Sequence, residues 1–189
     1  ILYQYNIKPG FSSDELRQAR SFKQDINVNE YPDRRDLTSD IIFTIDGEDT
    51  KDIDDAISID KVEGGYRLGV HIADVSHYVT ENSAIEQGAS ERGTSVYVVD
   101  RVVPMLPVEL SNKLCSLNPH VNRLAMSVYI DLDEYGTIKN YEFFESIIQS
   151  KQKLDYREVN RFFDNPNDVV YIEEDIKEKL LMMKEVSEL

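Results

Sequence analysis

The chain is organised around one acidic stretch, Ile45-Asp46-Gly47-Glu48-Asp49-Thr50-Lys51-Asp52-Ile53-Asp54-Asp55-Ala56. Six acidic residues lie between Asp46 and Asp55, and Lys51 is the one basic residue among them. Apolar residues on both sides predict an acidic turn between two buried strands. Carboxylates this close raise each other's pKa, so a divalent cation with oxygen ligands, such as Mg²⁺, is the expected partner. Composition alone leaves a solvated acidic loop as the alternative.

The spacing of the aspartates says more than their number. Asp52 and Asp54 are two residues apart, so on an extended segment they point to one face, and Asp55 points to the other. Gly47 permits a tight turn that would bring Asp46 back over Asp52 and Asp54. Four aspartates would then surround one or two ions. Two metals about 4 Å apart activate a water and stabilise the leaving oxygen in phosphodiester hydrolysis.

Three ordered motifs resemble the ribonuclease II/ribonuclease R family. The first is the acidic stretch from Thr44 to Ala56, and the second runs from His71 to Val79. The third consists of four short runs: Ser95-Val96-Tyr97, Arg101-Val102-Val103-Pro104-Met105-Leu106-Pro107, Leu110-Ser111 and Leu114-Cys115-Ser116-Leu117-Asn118-Pro119. Together the motifs cover most of positions 36 to 156 in family order. The middle motif, which contains histidine, is more similar to the ribonuclease R branch than to ribonuclease II.

The resemblance implies a processive exoribonuclease that degrades single-stranded RNA, in preference to DNA, from its 3′ end and releases nucleoside 5′-monophosphates. It implies Mg²⁺ as cofactor, as one or two ions, with Mn²⁺ as a substitute. Asp46 and Asp55 resemble ligands of a structural Mg²⁺. Asp52 and Asp54 resemble the catalytic pair that serves the second metal and the attacking water, and Asp54 is the residue most sensitive to replacement.

The resemblance also assigns two tyrosines to RNA binding. Tyr97 resembles the tyrosine that stacks on bases near the 3′ end, and Tyr156 resembles the tyrosine that distinguishes RNA from DNA at the ribose. Family members continue well beyond the last residue here, with a second aromatic clamp residue and an arginine at the scissile phosphate. Neither is found in this sequence, so the chain is interpreted as a fragment whose isolated activity is expected to be nearly absent.

The predicted fold class is α+β, with a mixed, mainly antiparallel sheet, flanking helices and the acids on turns, as in the first half of an RNB-type catalytic domain. Residues 1–35 are interpreted as an N-terminal linker and helix, and residues 36–189 as the partial catalytic domain. Patterns that resemble capping boxes predict helix starts at Ser12, Ser83 and Asp155. Gly64-Gly65 predicts a hairpin turn. A last helix is predicted from Ile172 to Leu189.

Composition narrows the class of protein further. The 189 residues carry 21 Lys and Arg against 36 Asp and Glu, a net charge of −15, which argues against broad electrostatic binding of nucleic acid by this segment. No apolar run is long enough to span a bilayer, so no membrane partner is expected. The single cysteine, Cys115, excludes an internal disulfide framework and fits a reducing cytoplasm. A monomer is expected.

Two other functions remain open from the sequence. One is a metal-binding fragment without turnover. The other is a calcium-binding module at residues 131–142, where Asp131, Asp133, Gly136 and Glu142 fit the EF-hand loop pattern. Tyr135 stands where an oxygen ligand belongs, and the flanks are rich in β-branched and aromatic residues, so a β-hairpin turn is favoured there.

The other polar side chains singled out from the sequence are expected to have structural roles. His71 and His77 are expected to order loops through hydrogen bonds, with a direct catalytic role as the alternative. Arg34 and Arg35 are expected to form salt links to nearby acids, with phosphate contacts as the alternative.

Overall fold

A computed structural model describes residues 4, 7, 9–99, 101–166 and 171–189 of the chain. The first ten residues of the predicted N-terminal linker lie largely outside the described residues. Within them the strands are β1 (Arg35–Asp46), β2 (Asp55–Val62), β3 (Gly65–Ala73), β4 (Val96–Val98), β5 (Arg101–Val103), β6 (Asn122–Asp133) and β7 (Ile138–Asp155). The α-helices are α1 (Ser13–Ser21), α2 (Ala84–Arg92), α3 (Tyr156–Asp164) and α4 (Glu174–Ser187). Short helical turns lie at Val28–Glu30, Val75–His77 and, with π geometry, Leu110–Leu114.

Five of these strands form a closed barrel in the order β1-β2-β3-β6-β7, and β4 pairs with β5 in a separate hairpin. Every pairing within the barrel is antiparallel except the one between β1 and β7, which is parallel. The α+β class with a mixed, mainly antiparallel sheet is therefore confirmed. Closure into a barrel is a feature that local patterns do not indicate, since it depends on pairing between strands far apart in sequence.

The closing pair of strands positions the candidate site. In the register of β1 against β7, Asp46 lies opposite Asp155. Helix α3 starts at the next residue, Tyr156, so the end of the acidic strand and the start of this helix lie side by side. The carboxylate of Asp155 and the side chain of Glu158 form a reciprocal capping box that fixes where α3 begins.

Two apolar clusters lie on opposite sides of β1. Ile42 belongs to a large cluster that includes residues of α1, α2 and the Leu110–Leu114 turn. Phe43, the next residue, belongs to a second cluster with residues of α3 and α4. Both side chains are fully buried. Successive residues of a strand point to opposite faces, so β1 is covered on both sides and its end at Asp46 is held firmly.

The local signals of the sequence are largely confirmed. The capping boxes at Ser12 and Asp155 are both present, whereas at Ser83 the hydroxyl accepts from the backbone of Glu86 without the reciprocal bond being established. The β2–β3 turn uses Gly64 with a φ of +78°. A Cβ at Gly65 would lie 1.9 Å from the carbonyl oxygen of Leu132, so this position requires glycine.

The EF-hand-like segment is a β-hairpin turn, as the sequence favours. Its flanks are the strands β6 and β7, whereas an EF-hand requires helices there. Asp133 Oδ1 accepts from the backbone N–H groups of Tyr135 and Thr137, at 2.9 Å each. The Nζ of Lys139 lies 2.7 Å from Asp133 Oδ2. The oxygens of Asp133 are thus already satisfied within the turn.

Candidate active site

The acidic loop between β1 and β2 is fixed by one apolar anchor and one serine. The side chain of Ile53 is 1% exposed, although it lies in the middle of the acidic run. Ser116 Oγ accepts from the backbone N–H of Ile53 at 3.2 Å and donates to the carbonyl of Lys51 at 2.8 Å. The backbone N–H of Leu117 donates to the carbonyl of Ile53 at 2.9 Å. With Ile53 turned inward, the neighbouring Asp52 and Asp54 are left exposed.

A lysine of β7 holds the other half of the loop. Lys153 Nζ donates to the carbonyl oxygens of Glu48 at 3.1 Å and Thr50 at 2.7 Å. The backbone N–H of Thr50 donates to the carbonyl of Gly47 at 3.1 Å, which closes the tight turn expected at that glycine. The ammonium of Lys153 also lowers the pKa of Asp46, although not enough to offset the opposing effects on that carboxyl.

The aspartates of the loop are close enough to influence one another. Loss of hydration, followed by the negative charges of Asp52, Asp55 and Asp46, raises the pKa of Asp54 above its usual value. Loss of hydration and the charges of Asp55 and Asp52 likewise raise the pKa of Asp46. Asp46 Oδ2 is also buried without a hydrogen-bond partner. These carboxylates carry charge that the described protein groups do not neutralise.

The donor set fits a hard divalent cation, because it consists of carboxylate oxygens and one of them is buried without a partner. The sequence predicts that the four aspartates surround an ion, and the structure shows this arrangement only in part. Within the described ranges, no three His, Cys, Asp or Glu side chains are arranged as a ready metal site. Four mutually repelling carboxylates favour such spreading. Asp46, Asp52, Asp54 and Asp55 are the residues that would hold the ion.

An open cleft of about 490 Å³ lies beside the acidic loop, and it brings together three of the residues singled out from the sequence. Asp52 lines it with Tyr97 from β4 and Tyr156 from α3. The two tyrosines are exposed, at 69% and 59%. Tyr97 Oη lies 3.4 Å from Asp52 Oδ2, and the negative charge of that carboxylate raises the pKa of the phenol. The cleft therefore places two exposed tyrosine rings beside acidic side chains of the loop.

The histidines and the cysteine have structural environments. His71 is fully buried between Ser58 Oγ at 3.1 Å and Ser127 Oγ at 2.8 Å, and burial lowers its pKa to about 4. His77 packs edge-on against neighbouring tyrosine rings. Cys115 is buried, which raises the pKa of its thiol to about 12. The loop-ordering hydrogen bonds predicted for the two histidines are therefore not what the structure shows: His71 bonds to serines of the strands β2 and β6, and the ring of His77 packs against tyrosines.

The two arginines at the start of β1, Arg34 just before the strand and Arg35 as its first residue, form the predicted salt links. Arg34 is buried against Asp74, with 2.5 Å between Nη2 and Oδ2. Arg35 forms a two-point pair with Glu142 across the β1–β7 pairing, at 2.8 and 3.2 Å. Both guanidinium groups are thereby engaged in holding strands together rather than directed at the cleft.

Comparison with known proteins identifies the family of this chain. The RNB domain family matches residues 34–189. The chain belongs to the RNB domain family. It is 49% identical over 162 residues to ribonuclease R 1 of Lactococcus lactis, a match that covers 85% of this chain and 20% of the relative. It is 48% identical over 162 residues to ribonuclease R of Thermotoga maritima, covering 85% of this chain and 23% of the relative.

A solved structure of an RNB relative shows the same fold. Mycoplasma genitalium RNase R in complex with ribose-methylated single-stranded RNA superposes with a TM-score of 0.92 at 32% identity, covering 99% of this chain and 29% of that one. The chain thus spans about a fifth to a quarter of the length of the curated relatives it matches. No helix within the described residues is long and apolar enough to cross a membrane.

Sequence reasoning missed the residues that hold the site in place. Ser116 and Lys153 donate hydrogen bonds to backbone carbonyls of the acidic loop, and Arg157 lines the cleft beside Tyr156. The signal for Lys153 was its place three residues before the family-matching Tyr156. Ser116 belongs to the third motif, but nothing local shows that its hydroxyl bonds to a loop more than 60 residues earlier.

Proposed function

We propose that this chain forms part of the catalytic domain of a Mg²⁺-dependent, processive 3′-to-5′ exoribonuclease that hydrolyses single-stranded RNA to nucleoside 5′-monophosphates. The observation that carries the proposal is the cleft in which Asp52, Tyr97 and Tyr156 meet beside unneutralised aspartates. Membership of the RNB family and relatives named ribonuclease R support it. The buried free thiol of Cys115 is consistent with action in the reducing cytoplasm.

The aspartates of the acidic loop, of which Asp52 lines the cleft, have a defined task in this proposal. Asp46, Asp52, Asp54 and Asp55 supply the oxygens that would hold the cation. When bound, Mg²⁺ supplies the positive charge that favours water attack and stabilises the leaving oxygen in phosphodiester hydrolysis. Asp54 also accepts a proton more readily than an ordinary aspartate, because loss of hydration and its acidic neighbours raise its pKa.

The tyrosines position the nucleic acid. Tyr97 offers an exposed ring on which a base near the 3′ end can stack, and such stacking contributes about 1–3 kcal/mol per base. Tyr156 is exposed in the first turn of α3, so its hydroxyl can meet a ribose 2′-hydroxyl, the group that distinguishes RNA from DNA. The hydrogen bonds of Ser116 and Lys153 fix the backbone of the acidic loop, and thereby its position relative to both tyrosine rings.

The direct test is hydrolysis of single-stranded RNA by the natural full-length protein. A substrate labelled at its 5′ end should shorten stepwise from the 3′ end in Mg²⁺ or Mn²⁺, with nucleoside 5′-monophosphates as products, and chelation should stop the reaction. The matching DNA strand should be degraded much more slowly. Cleavage at internal positions, or undiminished hydrolysis in excess chelator, would contradict the proposal.

A further inference from the structure

A second cleft adjoins the cleft that is lined by Tyr97 and Tyr156. Its volume is about 340 Å³, and it shares Glu48, Asp155 and Arg157 with the first cleft. The residues that it adds are basic or apolar in the main, and they include Lys153 and Arg161. A strand bound beside Tyr156 therefore has a continuous path along the start of α3.

The second cleft gathers three basic side chains, beside an equal number of acids, in a protein that is strongly acidic. The whole chain carries a net charge of −15, yet Lys153, Arg157 and Arg161 all border this one cleft. Arg157 and Arg161 are four residues apart on α3, so they lie on one side of the helix about 6 Å apart along its axis. The opposite side of α3 is buried through Val159 and Phe162.

The acids of this cleft form no close ion pair with either arginine. Asp155 Oδ1 accepts from the backbone N–H of Arg157 at 2.5 Å, and Glu158 Oε2 accepts from the backbone N–H of Asp155 at 3.0 Å. Both carboxylates are thus engaged in capping α3. Glu48 reaches Arg157 only at 3.9 Å, and both of those side chains are largely exposed. Within the described part of the chain, the guanidinium of Arg161 has no ion-pair partner.

We propose that Arg157 and Arg161 bind successive backbone phosphates of the RNA strand whose 3′ end occupies the neighbouring cleft. This inference rests on the proposed exoribonuclease function. A guanidinium presents a planar set of donors that matches phosphate oxygens, and exposed arginines lose little hydration in making such contacts. The remaining strand of a substrate held at its 3′ end lies wholly on the 5′ side, so these two residues contact upstream nucleotides. They increase RNA affinity without taking part in the chemistry.

The test measures how RNA affinity depends on salt in the natural full-length protein. A 5′-labelled single-stranded RNA is titrated in chelator, so that hydrolysis does not interfere, for wild type, Arg157→Gln and Arg161→Gln. Each lost phosphate contact lowers the slope of log affinity against log salt by about 0.7 for a single strand. Each single variant should show that shift, and the double variant about twice it. Arg157→Lys should keep the slope because it retains the charge.

The matched control is Arg17→Gln on α1, which removes the same charge from an exposed position away from both clefts. Its slope should equal that of the wild type. A slope unchanged in both α3 variants, or lowered equally by Arg17→Gln, would overturn the inference.

A second arm locates the contacts on the RNA. Single phosphates are replaced by neutral methylphosphonates along the strand. In the wild type, one or two upstream replacements should weaken binding, and the same replacements should have no further effect in the double variant. Additive losses would overturn the inference. If these binding tests fail while the wild type still degrades RNA from its 3′ end, the proposed function stands without it. If the wild type neither binds nor degrades RNA, both fall together.

Discussion

Two acidic segments of this molecule have similar composition and opposite electrostatic states. In the loop at residues 46–55, loss of hydration and neighbouring charges raise the pKa values of Asp46 and Asp54. In the hairpin at residues 131–142, hydrogen bonds and ion pairs lower the pKa values of Asp131, Asp133 and Glu142, that of Asp133 to about 2.

The partners explain the difference. Asp131 pairs with Arg67 at 2.7 and 3.0 Å, Glu142 pairs with Arg35, and Lys139 with two backbone N–H groups satisfies Asp133. In the loop, the nearby lysine, Lys153, donates to backbone carbonyls instead. A count of acidic residues therefore does not identify a metal site. Carboxylates left without protein cations are the better indication of one.

The largest effect is expected at Asp54. In the full-length protein, Asp54→Asn should lower RNA turnover by orders of magnitude, because it removes a carboxylate proposed to serve the second metal and the attacking water. RNA affinity should be equal or slightly tighter, since one repulsive charge near a polyanion is lost. Single-turnover rates and filter binding measure the two quantities separately.

The hairpin provides the control for that experiment. Asp131→Asn removes the same charge from the segment whose acids are already paired, so turnover should stay close to wild type. Substantial turnover in Asp54→Asn, or a loss of RNA binding that parallels the loss of activity, would remove Asp54 from its catalytic role.

Tyr97 should have the next largest effect. Tyr97→Ala removes a stacking surface that contributes about 1–3 kcal/mol per base, so short RNAs should dissociate sooner and end products should be longer. Tyr97→Phe keeps the ring and loses the contact between the phenol and Asp52, so its product length should match wild type. Product ladders resolved by gel electrophoresis decide between stacking and hydrogen bonding as the role of this residue.

Tyr156 should change substrate preference more than rate. Tyr156→Ala should relax the preference for RNA over DNA, because the 2′-hydroxyl is the group that differs between the two substrates. The ratio of rates on RNA and DNA strands of one sequence gives the result. A ratio equal to that of wild type would refute the assignment.

Local features of this structure could be predicted from the sequence, and long-range features could not. Helix starts at Ser12 and Asp155, the turn at Gly64 and the hairpin after Asp133 follow from side chains that bond within a few residues. The parallel pairing of Asp46 with Asp155 closes the barrel, and no local pattern contains it.

The same distinction holds at the site. The family motifs pointed to the four aspartates and two tyrosines, and the structure places Asp52, Tyr97 and Tyr156 on one cleft. The residues that fix the acidic loop were not predicted. A serine such as Ser116 or a lysine such as Lys153 can form many different hydrogen bonds, and only the fold shows which backbone groups each one reaches.

The smallest effect is on stability, and its sign differs between the two segments. The folded-state pKa of Asp54 is raised above its ordinary value, so the folded state binds protons more tightly and its stability falls as pH rises through that pKa. The folded-state pKa of Asp133 is lowered to about 2, so its stabilising contribution is complete above about 4 and is lost as pH falls toward 2.

In chelator at neutral pH, Asp54→Asn should therefore raise the Tm, and Asp133→Asn should lower it. The Asp133→Asn difference should vanish near pH 2. Thermal denaturation followed by circular dichroism at several pH values measures both shifts. A Tm change of the same sign in the two variants would contradict the electrostatic contrast between the segments.

The central claim is that the loop, and not the hairpin, binds a divalent cation. Isothermal titration of Mg²⁺ into wild type, Asp46→Asn, Asp55→Asn and Asp133→Asn tests it most directly, with Ca²⁺ as a second titrant. We expect affinity for Mg²⁺ to weaken strongly in both loop variants and to stay at the wild-type value in Asp133→Asn, with no Ca²⁺ site lost on changing Asp133. Unchanged Mg²⁺ affinity in both loop variants, or an equal loss in Asp133→Asn, would contradict the account.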